Sequence, residues 1–170
     1  MTANPARAQA APSHAAAKLI DVLAIGVLVA HVAILASQFG RLPAEIATHF
    51  DVYGNADGFG PKAWLWSLPA VGAGLLVLLR WAGARTERMN LPVSAEVTSP
   101  SRIYALARRM VSTLGLIVNA MLLWGCVLTI RVALGLAQGL GPAYLAVSLG
   151  AIAIVVIMFL LAMTRAAGGE

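Results

Sequence analysis

The chain has 170 residues, of which 60% are hydrophobic and only 11% charged. Soluble domains hold roughly 45–50% apolar and about 25% charged residues, so this composition excludes a water-soluble fold, and the length allows one domain and hardly two. The formal charge of +5 has a simple source in a membrane protein, where Lys and Arg accumulate in cytoplasmic loops, so we expect no nucleic-acid partner.

The first predicted elements are a tail and a membrane span. Residues 1–17 are rich in alanine, include two prolines and lack an apolar period, which predicts a disordered tail. An apolar run over 19–40 follows, and at ~1.5 Å per residue it crosses a hydrocarbon core of about 30 Å. A signal peptide has a shorter apolar region of about 7–15 residues, so we expect this span to be retained.

Three further apolar runs predict spans over 63–79, 110–130 and 143–163. The second is close to the lower limit of about 17 residues for a spanning helix, but tryptophans flank it, as is typical of membrane interfaces. Residues 18–170 are therefore predicted to form a single membrane domain: an all-α, polytopic bundle of four transmembrane helices.

Two smaller features concern helix packing and helix starts. Ser99 followed by Pro100 predicts the start of a short amphipathic helix leading into the third span. In the fourth span, small residues share one face and predict close packing against another helix. These are Ala143, Ala146, Gly150 and Ala153.

The distribution of Lys and Arg predicts the orientation. Nine of them fall in the tail, in the connection between spans two and three and after span four, whereas the opposite side holds three: Arg41, Lys62 and Arg131. Short loops rich in Lys and Arg stay in the cytoplasm, so we expect both termini inside and the loop 41–62 outside. Membrane lipid is the first expected partner.

The loop 41–62 contains the most informative pattern in the chain: Leu-Pro, then Ile, His-Phe, Gly, Asp and Lys. The residues are Leu42, Pro43, Ile46, His49, Phe50, Gly54, Asp57 and Lys62. In these positions the chain resembles the bacterial SdpI-like membrane proteins, whose opening module is catalogued as domain of unknown function 1648. The resemblance covers about 19–80, and it departs at Ala47 and Ala56, where the family usually has proline.

The resemblance implies a multi-pass protein of the bacterial cytoplasmic membrane. SdpI-type members protect a bacterium from a secreted peptide toxin and help to signal its presence to a repressor. The expected function is thus that of a non-enzymatic sensor or immunity-like protein, without cofactor, whose outer loop binds a peptide, an envelope component or a partner protein. Longer members carry helices that a four-span chain lacks, and an oligomer is compatible with the pattern.

The polar residues of the loop leave alternatives open. Glu45 and His49 would share a face if the segment were a helix, and His49 and Asp51 would share a face if it were a strand. Together with Asp57, either pair offers ligands to a divalent metal. Such a metal site is what a membrane-embedded hydrolase would need. The structural alternative is that Asn55 and Asp57-Gly58 make turns and that His49 forms a hydrogen bond across the loop. Lys62 would then snorkel or pair with Asp57.

Two polar residues fall near the middle of predicted spans, His31 in the first and Asn119 in the third. Polar groups in hydrocarbon face the bundle interior and pair, which predicts a hydrogen bond between them that stabilises helix packing. Alternatively, they form a midplane polar site in a small transporter or accessory subunit, with His31 relaying protons.

Overall fold

The computed structural model describes residues 5–85 and 100–168, which form four helices and one β-hairpin. The helices are α1 (Pro5–Phe39), α2 (Ser67–Gly83), α3 (Pro100–Ala133) and α4 (Ala143–Gly168). The strands are β1 (Glu45–Phe50) and β2 (Ala56–Pro61), and a 3-10 turn, Lys62–Trp66, joins β2 to α2.

Four segments are long and apolar enough to cross a membrane: Ala15–Phe39, Lys62–Gly83, Ile103–Ala133 and Ala143–Arg165. They coincide closely with the four predicted spans, and the mostly helical fold is consistent with the predicted multi-pass, all-α membrane protein; the β-hairpin between the first two spans was not predicted. The orientation of the helices across the membrane stays a prediction from charge.

The structure corrects the prediction of a disordered tail. Helix α1 begins at Pro5, so residues 5–17 continue the first span as helix. Alanine has the highest helix propensity, and proline is tolerated at the first helical turn, where its missing N–H has no helical partner. The alanine content thus favours helix over residues 5–17, although Pro12, inside the helix, removes one backbone hydrogen bond. Residues 1–4 of the predicted tail lie outside the described residues.

Helix α3 contains the longest of the four candidate membrane spans and is the centre of the fold. Its 34 residues extend ~51 Å, well beyond a hydrocarbon core of about 30 Å. Helix α3 starts at Pro100, as predicted. The expected short amphipathic helix and the third span are, however, one continuous helix. Ser99, the predicted cap, lies outside the described residues. α3 packs against α1, α2 and α4, whereas α1 and α2 touch each other over a smaller area.

Helix α4 packs on α3 through a different face from the predicted one. Ala143, Ala146 and Ala153 are exposed, so the stripe of small residues does not mediate the packing. The packed face instead includes Met163, which is buried in a cluster with Ile103 of α3. An apolar core needs volume as well as close approach, and the larger side chain supplies it.

Candidate functional site

The loop 41–62 folds around an antiparallel hairpin, 45–61, in which Ile46 pairs with Gly60 and Phe50 with Ala56. The register is irregular on either side of His49. β-branched and aromatic residues in β1 favour an extended conformation, so the alternative in which Glu45 and His49 share a helical face is wrong.

Asp51 organises the turn of the hairpin. Its Oδ1 accepts hydrogen bonds from the backbone N–H groups of Tyr53 (2.9 Å) and Asn55 (2.8 Å), and its Oδ2 accepts one from Nδ2 of Asn55 (3.1 Å). The side-chain bond from Asn55 and the backbone bonds lower the pKa of Asp51, since they stabilise its carboxylate. The turn predicted at Asp57-Gly58 is wrong, because both residues lie in β2, whereas Asn55 does belong to the turn.

His49 and Asp57 face each other across the hairpin, with Nδ1 2.5 Å from Oδ1, which confirms the predicted cross-loop hydrogen bond. Their side chains are 74% and 46% exposed, and exposed pairs of this kind stabilise a fold only slightly. Within residues 5–85 and 100–168, no group of three or more His, Cys, Asp or Glu side chains is close enough to hold a metal ion. Glu45, His49, Asp51 and Asp57 therefore do not converge on one point.

Hydrogen bonds of Lys62 join the base of the hairpin to the end of α1. Its Nζ donates hydrogen bonds to the carbonyl oxygens of Phe39 (3.1 Å) and Leu42 (3.0 Å) and lies 4.9 Å from the centre of the Phe39 ring. The pairing with Asp57 considered from sequence is not formed. A cation at a helix C-terminus satisfies carbonyl groups that lack helical partners, so Lys62 acts as a cap.

Two apolar positions of the loop motif, Leu42 and Ile46, form the floor beneath the hairpin. Leu42 and Ile46 are buried against Leu35 of α1 and Leu65 of the 3-10 turn, together with Cys126 and Ile130 of α3. The hairpin thus rests on side chains from both α1 and α3.

A second attachment, which sequence reasoning missed, holds the tip of the hairpin. Leu140 donates its N–H to the carbonyl oxygen of Gly54 (2.8 Å), and Asn55 forms a β-bridge with Gly139. Gly54 has φ +85° and lies so close to the α3–α4 connection that a Cβ there would be 2.7 Å from the nitrogen of Gly141. Gly135, Gly139 and Gly141 lie in that connection, and this density of turn-forming residues was the available signal in the sequence.

Between the hairpin and the adjoining ends of α2, α3 and α4 lies an open cleft of about 410 Å³, named here the hairpin cleft. Its aromatic walls are Phe50, Phe59, Trp64 and Tyr144, and its hydroxyl groups come from Thr48, Ser67, Thr129 and Tyr144. No charged side chain lines it in the described part of the chain. A cleft with apolar walls and a few hydroxyls suits an uncharged or amphipathic ligand.

Tyr144 is held in place in this cleft. Its hydroxyl donates a hydrogen bond to the carbonyl oxygen of Met121 (3.2 Å), and its ring packs on Trp124 with centroids 5.0 Å apart. Gly125 makes this position possible, because a Cβ there would lie 2.5 Å from the Tyr144 hydroxyl. Tyr144 of α4 is therefore fixed against α3 in this wall of the cleft by a hydrogen bond and a ring contact.

The predicted hydrogen bond between His31 and Asn119 is not formed. Both side chains are buried, but Nδ2 of Asn119 donates to the carbonyl oxygens of Gly115 (3.0 Å) and Gly72 (3.4 Å). Neither ring nitrogen of His31 has a partner among the described residues. Equal depth does not fix the direction in which a side chain points around its helix, and Asn119 points to α2.

Comparison with known proteins gives one match. Residues 25–73 match a family model described as Domain of unknown function (DUF1648). No curated protein and no solved structure matches the chain. The matched segment contains the C-terminal part of α1, the hairpin and the first part of α2, and thus every position of the loop motif. Over residues 25–73, less than half of the chain, the protein is therefore similar to the family described as Domain of unknown function (DUF1648).

Proposed function

We propose that this chain is a non-enzymatic sensor or immunity-like protein of the bacterial cytoplasmic membrane, and that its hairpin cleft binds a peptide. The observation that supports this most directly is the cleft itself, about 410 Å³ in volume, between the hairpin and three helices. Ligand pockets of about 300–1,000 Å³ with apolar walls and a few polar groups are typical of specific binding sites.

The chemistry of the walls favours an amphipathic peptide. Phe50 and Phe59 offer apolar surface on the hairpin side, and Thr48 and Thr129 offer hydroxyl groups that can pair with peptide N–H and C=O groups. Among the described residues, the cleft offers no charge to hold a charged substrate, and no nucleophile with an adjacent base lines it.

The position of the cleft suits a ligand that arrives along the membrane. Phe59 and Trp64 remain 64% and 65% exposed beside the start of the second span. Aromatic side chains prefer the membrane–water interface, so we expect this rim to lie at headgroup level. A secreted peptide that partitions into the interface would meet the cleft there.

The attachments of the hairpin offer a route from binding to a signal. The hairpin is bonded to the end of α1 through Lys62 and to the α3–α4 connection through Gly54. A ligand that enters between the hairpin and the helices acts on both attachments. It changes the helix positions only if it binds one arrangement of the helices more tightly than another, and the difference in affinity sets the size of the shift.

The test is photo-crosslinking in intact cells. Photoreactive benzoylphenylalanine replaces Phe59, which lines the cleft, or Tyr53, which is 70% exposed on the same hairpin but does not line it. The proposal predicts an ultraviolet-dependent peptide adduct from position 59 and none from position 53, identified by mass spectrometry. Changing Thr129 to Val, at the α3 wall, should reduce the adduct without lowering the amount of protein.

Two results would contradict the proposal. Equal adducts from positions 53 and 59 would show that peptides contact the hairpin without entering the cleft. Adducts with lipid alone at position 59 would show that the cleft is filled by the bilayer.

A further inference from the structure

A second cavity, of about 250 Å³, lies between α1, α2 and α3 at the end of the helices away from the hairpin, and basic residues surround it. We propose that this cavity, named here the basic cavity, binds a phosphate group, carried either by an anionic phospholipid or by a soluble phosphate compound. The site is independent of the hairpin cleft and of the proposed function.

Three helices each contribute a cation to the lining of the basic cavity. Lys18 comes from α1, Arg80 from α2 and Arg108 from α3, whereas Asp21 is the one carboxylate among the residues that line it. The cavity thus has an excess of two positive charges. Cations that converge from separate elements create a positive potential that favours an anion.

The single carboxylate leaves capacity for a second anion. Nε of Arg80 lies 3.8 Å from Oδ2 of Asp21, which is longer than an N–H···O hydrogen bond. Their side chains are 51% and 21% exposed, so the guanidinium remains accessible. A planar guanidinium offers five N–H donors and binds phosphate oxygens in pairs.

The walls leave room for the phosphate and for an attached chain. Gly83 and Gly115 line the cavity without side chains, and Leu76 and Leu79 form its apolar part. A lipid headgroup would place its phosphate among the cations and its glycerol and upper acyl chain along these leucines. A soluble phosphate compound would occupy only the charged part.

The basic cavity lies at the end of the second span, at the depth where we expect the lipid headgroups. Trp81, next to Arg80, is 56% exposed, and its ring lies 4.2 Å from the guanidinium carbon of Arg85. Exposed tryptophan and arginine at the end of a span mark the interface, and basic pockets between transmembrane helices bind anionic headgroups. The positive-inside pattern predicts that this end faces the cytoplasm.

The experiment uses the full chain in a neutral detergent with three probes: phosphatidylglycerol, phosphatidylcholine and inorganic phosphate. Binding is measured by intrinsic tryptophan fluorescence and by the shift in melting temperature. The variants are Arg108→Gln and Lys18→Gln, with Arg165→Gln as the control, because Arg165 is an exposed arginine that does not line the cavity. Asp21→Asn removes the competing carboxylate.

We expect phosphatidylglycerol to bind more tightly than phosphatidylcholine, and Arg108→Gln and Lys18→Gln each to weaken its binding about fivefold, the contribution of one cation near an anionic surface. Asp21→Asn should tighten binding, which a misfolded variant could not do, and Arg165→Gln should leave it unchanged. Binding of inorganic phosphate with the same order of variants supports a soluble source; binding of phosphatidylglycerol alone supports a lipid source.

The proposal is overturned if none of the probes binds in a way that depends on the cavity residues. It is equally overturned if Arg165→Gln weakens phosphatidylglycerol binding as much as Arg108→Gln does, because the attraction would then be a property of the whole basic surface.

Discussion

The backbone N–H of Leu140 donates a hydrogen bond to the carbonyl oxygen of Gly54 over 2.8 Å, so the tip of the hairpin is joined to the connection between α3 and α4. Together with Lys62 at its base, this bond holds the hairpin at two ends over the helices. The space left between the two attachments is the hairpin cleft. The geometry of the cleft therefore depends on contacts between segments that are far apart in sequence.

The close contact of Gly139 with the tip of the hairpin at Gly54 predicts that Gly139→Ala destabilises the fold. A Cβ at this position would overlap the carbonyl oxygen of Gly54, and backbone atoms can yield only by breaking the bridge. We expect a loss of about 1–3 kcal/mol in the free energy of unfolding, as for an overpacked contact. Thermal unfolding in detergent measures it, with Gly26→Ala as the control, because nothing lies within 4 Å of a Cβ there. Equal destabilisation by both changes would contradict the prediction.

The cap at the base predicts that Lys62→Met destabilises the protein. The change removes two charge-assisted hydrogen bonds to carbonyl oxygens, and we expect a loss of about 2 kcal/mol. Arg41→Met is the matched control, since Arg41 is an exposed cation at the same end of α1. Hydrogen exchange of the hairpin amides gives the second measurement. If the hairpin amides exchange at the same rate in Lys62→Met as in the unmodified protein, the hydrogen bonds of Lys62 do not stabilise the hairpin.

Two glycines on α2 give a matched pair of predictions. A Cβ on Gly72 would lie 2.5 Å from Oδ1 of Asn119, whereas a Cβ on Gly74 would meet nothing within 4 Å. Gly72→Ala should therefore lower the free energy of unfolding by about 1–3 kcal/mol, because buried Asn119 would have to shift away from the carbonyl oxygens of Gly72 and Gly115 to which it donates. Gly74→Ala should be neutral or slightly stabilising. The same melting temperature for both variants would mean that α2 and α3 pack differently.

The turn of the hairpin should be sensitive to acid through Asp51. Hydrogen bonds lower its pKa from the ordinary value of 3.8, so its folded form binds a proton less readily than the unfolded form does. Its contribution to stability is thus fully present above pH 3.8 and is lost as the pH falls through the lowered pKa. Hydrogen exchange of the Tyr53 and Asn55 amides at pH 6 and pH 3 tests this. The loss of amide protection, relative to the intrinsic exchange rate at each pH, between pH 6 and pH 3 should be smaller in Asp51→Asn than in the unmodified protein. An equal loss of protection in both proteins would refute the assignment to Asp51.

His31 allows a prediction that separates a structural from a transport role. Both of its ring nitrogens are buried without a hydrogen-bond partner in the described part of the chain. An apolar side chain of similar size removes that penalty, so His31→Leu should raise the free energy of unfolding by about 1–3 kcal/mol. The transport alternative instead predicts a pH-dependent flux in proteoliposomes that this change abolishes. A flux that persists in His31→Leu would exclude a proton-relay role for this residue.

Much of the architecture follows from the sequence. The length of each apolar run sets the number of spans, because only a helix of about 20 residues crosses the bilayer with its backbone groups satisfied. The sequence also predicted a hydrogen bond of His49 across the loop, but neither its partner, Asp57, nor the hairpin that brings the two side chains together was predicted.

Contacts set by tertiary geometry were not predictable. Polarity alone suggests an ion pair for Lys62, but the end of β2 places its ammonium group beside the last carbonyl groups of α1. The pairing of Asn119 depends on the rotation of α3 about its axis, and only the packing of all three neighbouring helices determines that rotation. The attachment of Gly54 to Leu140 joins two turns whose sequences give no sign of each other.

The cluster beneath the hairpin also dictates an order of assembly during synthesis. Leu35, Leu42, Ile46 and Leu65 leave the ribosome before Cys126 and Ile130, their partners on α3. A nascent chain that has inserted its first two spans thus displays a complete 25–73 segment whose apolar underside is still uncovered. The cluster beneath the hairpin is complete only when α3 has been synthesised, and the lining of the cleft only when Tyr144 of α4 has been added.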